Sequence, residues 1–278
     1  MKLVFSEAQP DYDHYQFPYA VWAFPEPGET PADLFEAGFL PSSRFLDRFY
    51  LCRQIRINLA RFTPSSENRR ILKKCSHISA TLVPRRQYQY TPERREFFKV
   101  YADIKFGKDV MTYERLDGLF EAPIISHLLT FHDPATSQEI GTVTLFLQEP
   151  RLAYYYYAFY DLNYYKQNLG IYMMTWAVKY FADTGFKYIY LGTCYSKNAL
   201  YKTQFRGAEF FNGFQWSTNL DELKFILEHH KTHPNHHLLE CPEFQEKFRY
   251  DPAKVAANSN FAVQLPTKQK PQPKVKHR

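Results

Sequence analysis

The apolar positions change period several times along the chain, and each change predicts an element. Residues 1 to about 30 show no period and are rich in Pro and acidic side chains, so they read as loop. Residues 31–37 predict a short helix that Gly38 stops. Across 51–62, Ile55, Ile57 and Leu59 alternate with Gln54, Arg56 and Asn58, the pattern of a half-buried strand. Pro64-Ser65-Ser66-Glu67 then opens a basic helix, and Pro92 opens another with Phe97, Phe98, Val100 and Tyr101 as its apolar positions. Strands are predicted at 124–131, 140–147 and 153–160. The turns between them, His132-Asp133-Pro134 and Glu149-Pro150, suit an antiparallel meander. Residues 169–184 return to helical spacing, with Leu169, Tyr172, Met173, Trp176, Tyr180 and Phe181 on one face and Gly185 at the end. A buried strand (188–191), a helix (198–205), a strand (208–216) and a helix (221–230) follow. Beyond His237 the pattern fades, and the Pro/Lys tail from Leu265 reads as disordered. The polar connection 84–90 suggests an N-terminal domain of residues 1–90. A second domain of residues 91–232 and a His-rich, basic terminal segment of 233–278 complete the division.

Composition narrows the class. The chain has 278 residues, with 22 Tyr and 25 Phe, enough for a substantial core in one large or two modest domains. The net charge is +6, but Lys268, Lys270, Lys274, Lys276 and Arg278 carry most of it, so a basic surface on the body must come from local clustering. Cys52, Cys75, Cys194 and Cys241 lack paired spacing and read as free cytosolic thiols. The first residues turn acidic too early for a signal peptide, and no apolar window is long enough to span a membrane. A cytoplasmic protein without a membrane partner is expected.

Residues 154–216 are the most informative. An aromatic strand, an acidic turn, a Gly-containing loop, a long amphipathic helix, a buried strand and a short helix follow in the order of the donor half of a GCN5-related acyltransferase. A helix N-terminus attracts phosphate or a developing oxyanion through its unpaired N–H groups. In acyl-CoA transferases that loop runs Arg or Gln, two residues, Gly, one residue, then Gly or Ala. Here it runs Gln167-Asn168-Leu169-Gly170-Ile171-Tyr172. The ring of Tyr172 would crowd the place of a diphosphate, which argues against coenzyme A. Gly170 reads either as a turn glycine or as a functional one, whereas Met173, Trp176 and Phe181 read as core.

Several spaced motifs resemble one family. Tyr160-Asp161, Asn168-Leu169-Gly170-Ile171-Tyr172, Tyr190-Leu191-Gly192 and Tyr201-Lys202-Thr203-Gln204-Phe205 are similar to the C-terminal domain of the aminoacyl-tRNA–protein transferases, the arginyl- and leucyl-transferases of the N-degron pathway. Asn168 stands where that family usually has Ser, and Tyr172 is the family's own Tyr. In the N-terminal half, Cys52-Arg53-Gln54-Ile55-Arg56-Ile57-Asn58, Phe62-Thr63-Pro64-Ser65 and Arg69-Arg70-Ile71-Leu72-Lys73-Lys74 resemble the family's Cys-x-x-x-Arg-Ile run, Phe-x-Pro-Ser turn and basic helix. The likeness covers roughly residues 34–222. Gly38-Phe39 and Ser42-Ser43 fit poorly. The family's N-terminal cysteines, associated with an iron–sulfur cluster or another metal, are reduced to Cys52, and one thiolate cannot hold a cluster. No cofactor and no metal are expected.

The resemblance implies an α/β fold: a GCN5-like mixed sheet flanked by helices, preceded by a small α+β domain. It implies transfer of Arg or Leu from an aminoacyl-tRNA to the α-amine of a protein N-terminus, acidic in known members, marking that protein for degradation. The ester is already activated and an α-amine has a pKa of about 8, so positioning and oxyanion stabilisation should dominate. Gly170 and Tyr172 would offer N–H groups to the oxyanion. Asp161 would orient or deprotonate the amine, or else serves only as a turn residue before Asn163. Asn168, Leu169 and Lys202 would meet the donor end, with Arg69, Arg70, Lys73 and Lys74 on tRNA phosphates and Arg56 on the acidic acceptor. Tyr201 and Phe205 read as core. Tyr154 to Tyr157 should alternate, two facing inward and two able to stack on adenine. The run His229, His230, His233, His236, His237 and Cys241 reads as a solvated helix end rather than a zinc site. The competing functions are a CoA-dependent N-acetyltransferase and a relative that binds tRNA or N-termini without turnover.

Overall fold

The computed structural model describes residues 1–261 apart from 14, 15, 137, 234–236 and 260. The expected disordered tail therefore lies outside the described residues. A first antiparallel sheet gathers β1 (Lys2–Glu7), β2 (Tyr19–Phe24), β3 (Phe39–Pro41) and β4 (Phe49–Leu51), with helix α1 (Pro31–Glu36) between β2 and β3. Then come β5 (Gln54–Asn58), α2 (Ser66–Lys74), β6 (Ser79–Pro84), α3 (Pro92–Phe106), α4 (Tyr113–Phe120), β7 (His127–Asp133), β8 (Gln138–Gln148) and β9 (Leu152–Tyr160). Helix α5 (Leu169–Asp183), β10 (Tyr188–Thr193), β11 (Ala208–Phe211), β12 (Trp216–Ser217), α6 (Leu220–Thr232), α7 (Pro242–Phe248) and α8 (Pro252–Asn258) complete the order. The second sheet has eight strands in the order β12-β11-β5-β10-β9-β8-β7-β6. Its pairs are antiparallel except β9 with β10, which run parallel. The α/β class, with a mixed sheet flanked by helices and a small sheet before it, is as the sequence leads one to expect.

The residue-90 division has no counterpart in this sheet. β5 and β6 precede residue 90, yet β5 lies between β11 and β10, and β6 forms the opposite edge. Nor is β5 half-buried. Gln54, Ile55, Arg56 and Ile57 are all buried because both faces of the strand are covered. On one face, Ile55, Ile57, Ile189, Leu191 and Ala153 pack with Leu169, Met173, Ala177 and Phe181 of α5. On the other, Tyr154 and Tyr190 join Phe35, Phe39 and Phe49 of α1 and the small sheet. A third cluster sets Phe98, Leu116 and Phe120 of α3 and α4 against Leu128 and Phe159.

Local chemistry explains several boundaries. Ser65 accepts from the Asn68 N–H at 3.1 Å while the Asn68 side chain accepts from the Ser65 N–H at 3.0 Å, closing the start of α2. Gly38 (φ +101) ends the segment after α1, and the space of its missing Cβ is filled by the Phe211 ring. Residues 208–216, expected as one strand, split into β11 and β12 around Gly213 (φ +113). β1 and β2 correct the loop reading of the first 30 residues, and β3, β4, β6, α4, α7 and α8 carry no strong period and went unpredicted.

Candidate functional site

Strands β9 and β10 pair only at Leu152–Tyr188, Ala153–Ile189 and Tyr154–Tyr190. Beyond these pairs β9 continues to Tyr160 on β8 alone, while β10 continues to Thr193 on β5. Gly192 (φ +80) sits at a bulge in β10 just where the two strands part. The gap opens at the end of the sheet where α5 begins.

Phenols and cations line this gap. Tyr155 is the first β9 residue beyond the pairing; it is 4% exposed, and its hydroxyl has no hydrogen-bond partner among the described residues. Burial, then the neighbouring Tyr201, Tyr101 and Tyr160, push its pKa well up, so it is a neutral donor. The rings of Tyr101 and Tyr160 lie 5.0 Å apart. Lys202 donates from Nζ to the Thr193 carbonyl at 2.8 Å, and its burial lowers its pKa. Cys194, fully buried, has a thiol whose pKa burial raises, with Lys202 and Arg53 opposing. A half-buried ammonium and the unpartnered Tyr155 phenol, near a helix N-terminus, form a set of donors suited to a carbonyl oxygen or a developing oxyanion.

The loop into α5 shows why its residues are what they are. Asp161 closes β9 and caps a 3-10 turn (Leu162–Gln167), accepting from the Asn163 N–H at 2.9 Å, which is the turn role left open above. Asn168 adopts φ +65, a conformation Asn tolerates, and its carbonyl accepts from the Tyr172 N–H. A Cβ on Gly170 would stand 2.8–2.9 Å from Tyr160 ring and hydroxyl atoms, so the room this glycine leaves is taken by a phenol. The ring that fills the approach to the helix N-terminus is thus Tyr160, not Tyr172. Tyr172 is 2% exposed, packs on Phe131 and donates to the Ile78 carbonyl at 3.1 Å. Leu169 is fully buried in the same core. Neither side chain can meet a donor, and the Tyr172 N–H, bonded to the Asn168 carbonyl at 2.9 Å, is not free for the oxyanion expected of it.

The basic helix sits beside this loop. Lys74 donates to the Lys166 carbonyl at 3.0 Å, and the Cys75 thiol to that of Gln167 at 3.4 Å. These bonds dock α2 on the turn before α5 and leave Arg69, Arg70, Lys73 and Lys74 exposed. Arg70 pairs with Glu67, and Arg69 donates to the Pro64 carbonyl. Lys105 adds a cation over the exposed Tyr165 ring, 5.0 Å from its centre.

Arg56 is elsewhere. It is 7% exposed, bonded through Nε to Glu209 at 2.7 Å and held between the rings of Tyr188 and Trp216 at 3.9 and 3.7 Å. It faces α1 and the small sheet, so it is a core ion pair and cannot receive an acceptor. The tyrosine run also departs from strict alternation. A bulge opposite Thr144 and Leu145 leaves Tyr154 and Tyr155 buried and Tyr156 and Tyr157 half-buried. Tyr201 is 49% exposed rather than core, while Phe205 is buried as expected. In the His run, the helix end carries His229 and His230, and His236 lies outside the described residues. Sequence reasoning missed Tyr101, Tyr155, Tyr160, Cys194 and Arg53 as parts of the site; Tyr155 stood in a tyrosine run, Tyr160 and Arg53 stood in family motifs without being given a role, and Tyr101 and Cys194 gave no signal.

The family cysteine that remains is held as a buried thiol. Cys52 is buried, its pKa pushed up to about 12 by burial, and among the described residues no three His, Cys, Asp or Glu side chains group as a metal site. No described helix is long and apolar enough to cross a membrane.

No family model matches the chain. Curated relatives named aspartate/glutamate leucyltransferase do. One of Ruegeria pomeroyi is 25% identical over 176 residues, covering 61% of this chain and 63% of the relative. One of Ruegeria sp. TM1040 is 27% identical, covering 64% and 66%, and one of Chromobacterium violaceum is 22% identical, covering 69% and 81%. The match spans just under two thirds of the length of the two Ruegeria relatives. The motif resemblance to aminoacyl-tRNA–protein transferases is borne out by these relatives. Among solved structures, a GCN5-related glucosamine N-acetyltransferase region of a fungal multi-domain β-N-acetylglucosaminidase is 10% identical with a TM-score of 0.38, covering 57% of this chain and 19% of that one. FemX is 10% identical with a TM-score of 0.36, covering 51% and 53%. These likenesses are too loose to carry function.

Proposed function

We propose that the chain moves an amino acid, Leu or Arg, from a charged tRNA to the α-amine of a protein whose N-terminal residue is Asp or Glu, marking that protein for degradation. The observation that carries this reading is the gap between β9 and β10, whose buried donors meet an exposed basic helix at the N-terminus of α5. The leucyltransferase relatives support the same chemistry.

In this reading the tRNA backbone lies on Arg69, Arg70, Lys73 and Lys74, and its aminoacylated end enters the gap between β9 and β10 past Asn168 and Lys202. The neutral α-amine attacks the ester carbonyl. Lys202 and the Tyr155 hydroxyl donate to the oxygen that gains charge. The ester C–O bond then breaks, and the terminal ribose hydroxyl leaves with a proton drawn from the attacking amine. Asp161 acts as a positioning residue that fixes the turn before α5. No iron–sulfur cluster takes part, and stoichiometric iron and sulfide in anaerobically purified protein would contradict that. A CoA donor is disfavoured because the Tyr160 ring fills the approach beside Gly170.

The test is incubation with total tRNA charged with labelled Leu or Arg and with peptides beginning with Asp, Glu or a control residue. Label is expected on the α-amine of the acidic peptides. Acetyl transfer from acetyl-CoA, without any transfer from tRNA, would overturn the reading.

A further inference from the structure

Arg53 differs from the paired arginines of this fold. It immediately precedes β5, at the open end of the gap, where its carbonyl accepts from the Cys194 N–H at 2.9 Å and its N–H donates to the Tyr195 hydroxyl at 2.9 Å. Its guanidinium lies 5.0 Å from the centre of the Tyr195 ring, and Nη2 meets His230 Nδ1 at 3.0 Å. No carboxylate among the described residues pairs with it, whereas Arg56 is paired with Glu209 at 2.7 Å. Nε and Nη1 have no acceptor among the described residues. Burial lowers both its pKa and that of His230, so a neutral imidazole accepts from a partly desolvated cation. An aromatic face and a histidine thus fix the plane of the guanidinium while its remaining donors stay open, the geometry of a planar receptor for a carboxylate. Arg53 is tied to Cys194 by that backbone bond and Lys202 to the adjacent Thr193 carbonyl at 2.8 Å, so both cations stand at the end of β10.

We propose that Arg53 is the residue that selects acidic acceptors, binding the side-chain carboxylate of the N-terminal Asp or Glu while the α-amine of that residue reaches the ester beside Lys202. This rests on the transfer reaction proposed above and replaces Arg56, which the fold consumes.

The experiment compares wild type, Arg53→Met and Arg53→Lys on peptides beginning with Asp or Glu and on the same peptides beginning with Asn or Gln. It measures kcat and KM for transfer, peptide affinity by calorimetry and affinity for charged tRNA. A charge-assisted pair is worth about 10- to 100-fold. Arg53→Met is therefore expected to lose that factor in kcat/KM on acidic peptides, through KM, with amide peptides and tRNA affinity changed less than about threefold. Arg53→Lys, which keeps charge but not the planar fork, should fall between. An acid-to-amide preference that stays at the wild-type ratio in Arg53→Met overturns the assignment. If wild type transfers nothing from any charged tRNA, it is the reaction that fails. Arg53 is then judged by calorimetry, where equal binding of Asp and Asn peptides by wild type sinks it.

Discussion

Arg56 and Lys202 carry the same charge into opposite surroundings. The Arg56 guanidinium has a buried carboxylate and two ring faces, so its charge is compensated inside the core. Removing it leaves Glu209 with Asn58 at 3.3 Å and the exposed Arg61 at 3.9 Å. Arg56→Met is expected to cost about 3 kcal/mol, read as a lower midpoint in urea, because a weakly compensated buried carboxylate outweighs the apolar gain. Lys202 has only a backbone carbonyl, and burial depresses its pKa below the ordinary lysine value of 10.5. Its ammonium is the donor, so activity should fall as pH rises through that lowered pKa, after rising as the acceptor amine loses its proton near pH ~8. Lys202→Arg should keep part of the rate and lose the alkaline limb, whereas Lys202→Met should lose about 100-fold below that pKa, with the deficit shrinking above it and little change in melting temperature. An alkaline limb that persists in the arginine variant would assign it elsewhere. Lys202 was legible because its motif travels as one local run. Arg56 was legible as a residue but not as a role, since its partner Glu209 is set by the register of β5 on β11.

Elements were easier to find than their neighbours. The meander β7-β8-β9 and helix α5 follow from period and turn chemistry alone. The decisive feature, the parting of β9 from β10, leaves no periodic trace because it is a property of two strands far apart in sequence. Tyr160 filling the space beside Gly170 is hidden for the same reason: a small residue in a loop does not say what approaches it. Helix α2 is the intermediate case. Ser65, Asn68 and the charge pattern announce a capped basic helix, and only the bonds to the Lys166 and Gln167 carbonyls show that it borders the donor loop. Lys73 and Lys74 are both exposed there. Reversing them, Lys73→Glu with Lys74→Glu, is expected to weaken tRNA binding and to flatten its salt dependence, by about one unit of slope for each phosphate the helix no longer neutralises. A salt slope equal to wild type would remove α2 from the tRNA path.

At the scale of the molecule, the polar connection at 84–90 does not part the eight-stranded sheet, because composition marks a connection and not which strands pair. The chain lays down β5 and β6 early and builds the rest of the eight-stranded sheet around them later. β5 carries Ile55 and Ile57 into the core beneath α5 and Arg56 into the core beneath α1, so it joins both layers. Taking it away would leave β11 and β10 with unpaired edges inside the fold, and unpaired buried backbone is costly. A chain beginning at residue 91 is therefore expected to be insoluble or to lack a cooperative melting transition. Co-expressing residues 1–90 with 91–278 should restore a soluble complex with one transition, because the two pieces share a single sheet. A cooperative melt from residues 91–278 alone would show that the later strands close without β5. The gap could then not depend on the β5 pairing that holds the end of β10 away from β9.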